Sequence, residues 1–330
     1  MRALLWGVVT AAVLWSGYWF AGSTAVQRGA EGWVAQAAAQ GFDVRTAGIR
    51  VAGFPNRFDL TVTAPAVSDA GFGLGWRGDT LQVLAMTWKP WHLIALLPLA
   101  QTIRTPDGDI TVTAAKLRAS VVLHPGADLR LDRTILETTD LAMTGPAGAV
   151  RVANATLATS EDTSRRNSHR IGLQINGLTP VPAVSAALPD LPAVIAGLHL
   201  DGIALLSAPL DRHAGETQPE LTGLILRDAT LDWRPLHVIA SGSLAVTSDG
   251  LAEGRIDLTL DGWHSLPGLL GAVGVIDPVL VPTLLRALEI MAEQAGTGTG
   301  VLTLPLTFRA GRMRLGPLPI GTAPRLAYRQ

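Results

Sequence analysis

Residues 57–67 read RFDLTVTAPAV, with Phe58, Leu60 and Val62 alternating against Asp59, Thr61 and Thr63. An extended chain points successive side chains to opposite faces, so a period of two marks a strand with one apolar and one polar side. Threonine and valine, branched at Cβ, suit that backbone. The same alternation returns in TLQVLAMTW (80–88), DITVTAAKLRASVVL (109–123), RIGLQINGL (170–178), LTGLILRDATLDW (221–233), GRIDLTLDGW (254–263) and GVLTLPLTFRAGRMRL (300–315). PDG (106–108), HPG (124–126), GPAG (145–148) and SDG (248–250) punctuate these runs as turns. Strand after strand, joined by short turns, predicts an antiparallel meander and not a βαβ fold.

A loose echo runs through the strands: GDTLQVLAM (78–86), AAKLRASVV (114–122), NATLATSED (154–162) and DATLDWRPL (228–236). The spacing between copies is uneven, which excludes a strict solenoid or propeller repeat. It fits one hairpin unit added repeatedly to a growing sheet.

Two interruptions read as helical. VPAVSAALPDLPAVIAG (181–197) is short and broken by prolines. The stronger one begins after Asp277, an N-cap type, with Pro278 at the first helical position. Leu280, Leu284, Leu288 and Met291 then form an apolar stripe expected to lie along the sheet or plug one end of it.

The first residues place the chain in a membrane. Residues 3–22, ALLWGVVTAAVLWSGYWFAG, carry no charge. Twenty helical residues rise about 30 Å, the thickness of a bilayer's hydrocarbon core. Trp6 lies near one end, and Trp15, Tyr18, Trp19 and Phe20 gather at the other, as interfacial aromatics do. The rival reading is a cleaved signal peptide, with STA (23–25) as its cleavage site. The length of the run and its bulky aromatic end favour an uncleaved anchor. Arg2 favours a cytoplasmic N-terminus, which implies an inner-membrane, single-pass protein with its bulk in the periplasm. Residues 91–100 are too short, and interrupted by Pro98, to span again. The expected organisation is an anchor at 1–22, a connecting helix at 23–41 rich in alanine and glutamine, and one elongated β-rich domain at 42–330.

Composition narrows the function classes. The chain is 48% hydrophobic but only 16% charged, against about a quarter charged in ordinary soluble domains. Mean hydropathy is +0.31, an excess that one anchor does not explain. Net charge is −1 with no basic face, which argues against nucleic acid. The absence of cysteine removes thiolate metal sites, cysteine nucleophiles and disulfides.

GLGWRG (73–78) fits the G-x-G-x-x-G spacing of a dinucleotide loop. That reading requires a helix opening on the last glycine and an acidic residue about 20 positions on. DTLQVLAMTW follows as a strand, and WHLIALLPLA holds no acid. The stretch therefore reads as a turn between strands. The seven histidines never pair at ligand spacing, and no nucleophile elbow or lysine phosphate loop is present. No catalytic residue, metal site or cofactor is expected, and the protein reads as a non-enzyme.

WKPW (88–91) reads either as an aromatic rim of Trp88 and Trp91 resting on lipid, or as core packing where a strand meets a short helix started by Pro90. The second has the greater weight.

GFPNRFDLTVTAPAV (53–67), WKPWHLIALLP (88–98) and LPLTFRAGRMRLGPLPIGTAP (304–324) together resemble the bacterial family called domain of unknown function 2125. The likeness covers nearly the whole chain and rests on G-[FYL]-P-x-R-F-x-L near the start and F-x-x-G-x-x-x-L-G-P near the end. Asn56 stands where an aromatic or apolar residue is expected. In general plan the chain is also similar to the AsmA-like envelope proteins, a less specific likeness. It implies a transmembrane helix followed by a long, curved antiparallel β-groove, or half-pipe, whose apolar floor carries phospholipid chains.

The expected fold is thus mostly β with a few helices (α+β), with an amphipathic helix near the C-terminus. The expected function is binding or transfer of lipid or another amphiphile in an apolar β-groove, in the service of envelope maintenance. Its floor would comprise Phe58, Leu60 and Val62 with Ile256, Leu258 and Leu260, which alternate with polar residues. The alternative is a structural or scaffolding envelope protein with a closed sheet and protein partners.

Overall fold

The computed structural model describes residues 1–69, 71–294, 296 and 300–327. It is mostly antiparallel β, led by one long helix, α1 (Arg2–Ala39). That helix is unbroken across both the uncharged span and the alanine- and glutamine-rich stretch after it. Two compact units follow from the packing, one of residues 1–125 and 136–146, the other of 126–135 and 147–330.

In the first unit the chain runs back and forth in long strands, each broken once. The broken pairs are β1 (Asp43–Arg45) with β2 (Gly48–Ala52), β3 (Arg57–Thr63) with β4 (Ala66–Asp69), and β5 (Leu74–Gly78) with β6 (Thr80–Met86). They continue as β7 (Lys89–Leu96) with β8 (Ala100–Thr105) and β9 (Gly108–Thr113) with β10 (Lys116–Leu123). One set of halves pairs as β2–β3–β6–β7–β10. The other pairs as β1–β4–β5–β8–β9, and β9 also pairs with the end of β11 (Leu131–Gly145).

The breaks fall side by side and form a crease. Backbone hydrogen bonds still cross it: Ala47 N to Thr63 O (2.9 Å), Ala64 N to Asp79 O (2.7 Å), Gly78 N to Pro65 O (3.0 Å) and Ala114 N to Leu99 O (2.9 Å). Small residues and prolines cluster there for a steric reason. A Cβ on Gly78 would lie 2.5 Å from Cγ of Pro98.

The second unit continues as a meander of β12 (Gly148–Glu161), β13 (Ser168–Thr179), β14 (Ile195–Leu206), β15 (Leu221–Trp233), β16 (Leu236–Val246), β17 (Ala252–Asp261), β18 (Leu302–Arg309), β19 (Arg312–Leu315) and β20 (Leu318–Thr322). Each pairs antiparallel with the next. The helices α2 (Pro182–Ala187), α3 (Ala214–Thr217), α4 (Leu266–Ala272) and α5 (Val281–Gln294) are inserted between strands. Cross-strand rows set the core: Leu231–Val238–Leu260–Leu302 and Ala229–Ala240–Leu258–Leu304 run across four strands. Leu236, Leu260 and Leu288 are fully buried in it, with Trp233 and Trp263 beside them. Trp233 keeps its indole N–H satisfied on Pro192 O at 2.7 Å, as a buried donor must be.

The echo noticed in the sequence marks bends. Two copies begin at the crease, at Gly78-Asp79 and Ala114-Ala115. The third begins beside Ala153, where the β12–β13 register skips Ala153 and Gly177, and the fourth at the β15 bulge between Leu226 and Ala229.

Several sequence expectations need correction. GLGWRG is not a turn: 74–78 form β5, paired to β4 and β8, and only Gly73, at φ +65°, is a turn residue. Gly75 serves close packing, since a Cβ there would touch the Cβ atoms of Ser68 and Arg104 at 3.4 Å. WKPW starts no helix. Met86 pairs with Lys89 and Ala85 with Leu93, so Pro90 sits in a bulge, where a missing N–H leaves no ladder bond unmade. The helical reading of 181–197 holds only for α2, because from Ile195 the chain joins β14. Strand β11 and helix α4 carry no clean period and were not expected.

The helix after Asp277 is present, and the Asp277 carboxylate accepts the Val279 N–H at 3.0 Å as a cap. Its buried face is Leu284, Leu288 and Ala292, with Met291 partly buried. Leu280 is exposed, because it belongs to a 3-10 turn before the helix and is off its stripe.

Candidate functional site

The helix α1 does more than extend the chain from its apolar end. Trp15, Tyr18, Trp19, Gly22 and Val26 recur at spacings of three and four, which places them on one face. The helix lies against β1, β2 and β3 of the first unit. Three side-chain donors on it reach backbone carbonyls at the ends of the hairpins. Trp15 Nε1 donates to Pro55 O (3.0 Å), Tyr18 Oη to Thr87 O (2.7 Å) and Trp19 Nε1 to Arg57 O (2.8 Å).

Around these bonds the rings nest. Trp19 stacks on Phe58 at 6.2 Å and meets Phe54 edge-on at 5.4 Å, while Phe20 stacks on Phe54 at 5.9 Å. Such pairs contribute about 0.5–1.5 kcal/mol each beyond area burial. Gly22 makes the fit possible: a Cβ there would lie 2.5 Å from Cζ of Phe58. Phe58 itself is buried.

The sheet presents α1 with an apolar floor. Phe58 pairs with Ala85 and Ala85 with Leu93, Leu60 with Val83 and Val83 with Ala95, and Val62 with Leu81. Because paired residues share a face, Phe58, Leu60 and Val62 do lie together. Between this floor and α1 is a cleft of about 260 Å³. Tyr18, Gly22 and Val26 form its roof, Phe58, Leu60, Val83 and Ala85 its floor, and Pro90 and Leu93 one side. Its lining is almost wholly apolar. Leu60, Val83, Ala85 and Leu93 remain only half-buried, so the helix covers the floor incompletely.

The other half of the same unit is different in kind. Arg45, Arg77 and Arg104 line a second cavity of about 280 Å³ together with Asp43 and Asp109. Arg45 pairs with Asp43 at 2.6 Å, and Asp109 takes Arg104 at 3.3 Å and Arg77 at 3.7 Å. These arginines are largely exposed and already carry acidic partners.

In the second unit Ile256, Leu258 and Leu260 also share a face, and that face is the packed core. Leu284, Leu288 and Met291 of α5 and Leu266 of α4 belong to the same cluster. Trp88 lies at the turn between β6 and β7, 57% exposed, and Trp91 is half-buried within β7. Among the described residues no group of three or more His, Asp and Glu is arranged to hold a metal ion.

Sequence reasoning named Phe58 and Leu60 of the cleft but not its roof. The signal was present in the three-four spacing of Trp15, Tyr18, Trp19, Gly22 and Val26. It was masked because aromatics at the end of an apolar helix also fit the edge of a bilayer.

By length and apolarity α1 qualifies as a membrane-crossing helix, and it is the only such helix among the described residues. Residues 19–324 match the family of uncharacterized proteins conserved in bacteria termed domain of unknown function 2125, and the chain belongs to that family. No curated protein and no solved structure matches the chain significantly.

Proposed function

We propose that this chain, as a member of the domain of unknown function 2125 family, is a non-enzymatic, membrane-anchored protein that shelters an acyl chain of a lipid or another amphiphile beneath α1. The observation that carries this reading is the apolar cleft between α1 and the β3–β6–β7 face. A volume of about 260 Å³ is several times the ~30 Å³ share of one water in the liquid. It therefore admits a stretch of acyl chain. At roughly 0.8 kcal/mol per buried methylene, about eight methylenes would contribute around 6 kcal/mol without any polar motif. That matches a site with almost no polar lining.

The uncharged run at 3–22 and Arg2 before it support an inner-membrane anchor with the bulk of the chain on the periplasmic side. The plan of one anchor followed by an antiparallel meander is in keeping with the AsmA-like likeness. Phospholipid of the same membrane is then the nearest ligand, and lipid binding or transfer for envelope maintenance the corresponding role.

The test compares full-length protein with Ala85→Phe, both purified in mild detergent, by mass spectrometry of extracted lipid per chain. Lipid held around α1 non-specifically is common to both, so the difference reports the cleft. A ring at position 85 is expected to remove one lipid per chain while leaving the far-ultraviolet circular dichroism unchanged. Leu60→Phe serves as an independent filling variant. Equal lipid in all three proteins would refute the reading.

A scaffolding role with protein partners is the second reading. It is favoured by the second unit, whose Ile256, Leu258 and Leu260 face is filled by its own helices. Stable co-purification of a protein partner with no lipid difference would support it.

A further inference from the structure

We infer that the two hairpin tips of the first unit, residues 53–56 and 86–89, dip through the headgroup region into the outer hydrocarbon of the phospholipid bilayer that α1 crosses. This rests on α1 being the membrane anchor, and not on the cleft holding lipid. The first observation is a length. From residue 3 to Trp15 the helix rises about 18 Å, and the hydrocarbon core needs about 30 Å. The last third of the span is therefore supplied by residues 15–22. Those are the residues that bind the tips, through Trp15 to Pro55 O, Tyr18 to Thr87 O and Trp19 to Arg57 O. The tips cannot stand clear of the membrane while these bonds hold.

The second observation is the composition of the tips. Phe54 is 53% exposed, Trp88 57%, Met86 43% and neighbouring Phe20 on α1 61%. Four large apolar side chains exposed together at one end of one unit are unfavourable in water and suited to lipid. Trp88 is of the type enriched at the interface. Lys89, also exposed, carries an aliphatic stem long enough to place its ammonium among lipid phosphates.

The third observation is the polar satisfaction of the loop backbone. Gly53 O accepts Asn56 N (3.1 Å) and Arg57 N (2.9 Å), and Asn56 O accepts both Thr87 N and Thr87 Oγ1 at 3.1 Å. Pro55 O, Arg57 O and Thr87 O are taken by the α1 donors. Irregular backbone at membrane depth is tolerated only when its polar groups are met internally. These eight groups meet that condition, and Thr87, the residue joining the two tips, is fully buried. The exposed surface of the tips is led by the large apolar side chains of Phe54, Met86 and Trp88, with Asn56 and Lys89 as the polar side chains that lipid headgroups would meet.

The absence of native cysteine makes the test direct. Spin labels are placed singly at Phe54→Cys, Trp88→Cys and Lys89→Cys, with Val9→Cys inside the anchor and Asp107→Cys at the turn between β8 and β9. The full chain is reconstituted in vesicles of phosphatidylcholine and phosphatidylglycerol, and collision with oxygen and with a water-soluble nickel chelate is measured. Labels at 9, 54 and 88 are expected to favour oxygen, the label at 107 to favour the chelate, and that at 89 to fall between. If 9 is immersed while 54, 88 and 89 match 107, the seating is refuted and the anchor stands. If 9 is also aqueous, the anchor reading fails and the seating with it.

Discussion

Replacing Phe58 by alanine tests whether α1 is held to the first unit by the packing described. Phe58 is 5% exposed. Its ring lies 6.2 Å from Trp19 and 6.4 Å from Tyr18, and it fills the space left by the missing Cβ of Gly22. A buried Phe→Ala change costs about 3–5 kcal/mol from lost transfer energy and the residual cavity. At ~1.4 kcal/mol per tenfold, the population with α1 undocked should rise by about two to three and a half orders of magnitude. Arg28, two residues beyond the cleft residue Val26, is exposed but held within the helix, so trypsin cleavage after it requires that part of α1 to open locally. When opening is fast relative to cleavage, the rate tracks the open population. The measurement is the initial rate of that one cut in detergent-solubilised full-length protein, followed by product mass. Phe54→Ala is the control, because Phe54 is half-exposed and offers only ring contacts worth about 0.5–1.5 kcal/mol each. Cleavage of Phe58→Ala no faster than that of Phe54→Ala would refute the docking argument.

Leu288→Ala, at a position with no exposed surface, should destabilise the second unit by about 2–5 kcal/mol, read as a lowered urea midpoint. A second test uses pH. The buried His169 imidazole is held below its ordinary pKa by burial first and by the Arg130 charge second, against a smaller opposing pull from Asp132. The folded form is thus neutral where the unfolded form, with a pKa of about 6.5, takes up a proton. Stability is fully present above about pH 6.5 and falls as pH drops through the depressed folded value. His169→Gln should flatten the dependence of the urea midpoint over that window, and an unchanged slope would remove His169 as its source.

Three levels of the structure differ in how legible they were. Strands with clean alternation, such as β17 and β19, were readable because one face is buried and the other wet, and a period of two follows directly. Where that asymmetry failed, so did the reading. Glycines serving close approach hid β5, and a bulge around Pro90 made β7 look like a helix start. The small residues at the crease produced a repeating echo whose meaning lay in the bends of long strands, visible only once the strands were paired.

By itself, the sequence determined the strand-rich class, the order of the hairpins, the capped helix after Asp277 and the apolar helix at the start, since each depends on neighbours along the chain. It also placed Phe58, Leu60 and Val62 on one face, and Ile256, Leu258 and Leu260 on one face. Only the tertiary structure decided that the two sets have different fates. The first lies under a single helix that leaves a cleft, because Gly22 admits Phe58 while Leu60 and Val83 stay partly uncovered. The second is sealed by helices of its own unit. Whether an apolar face becomes core or floor depends on what packs across it, and that partner is remote in sequence, with no period to announce it.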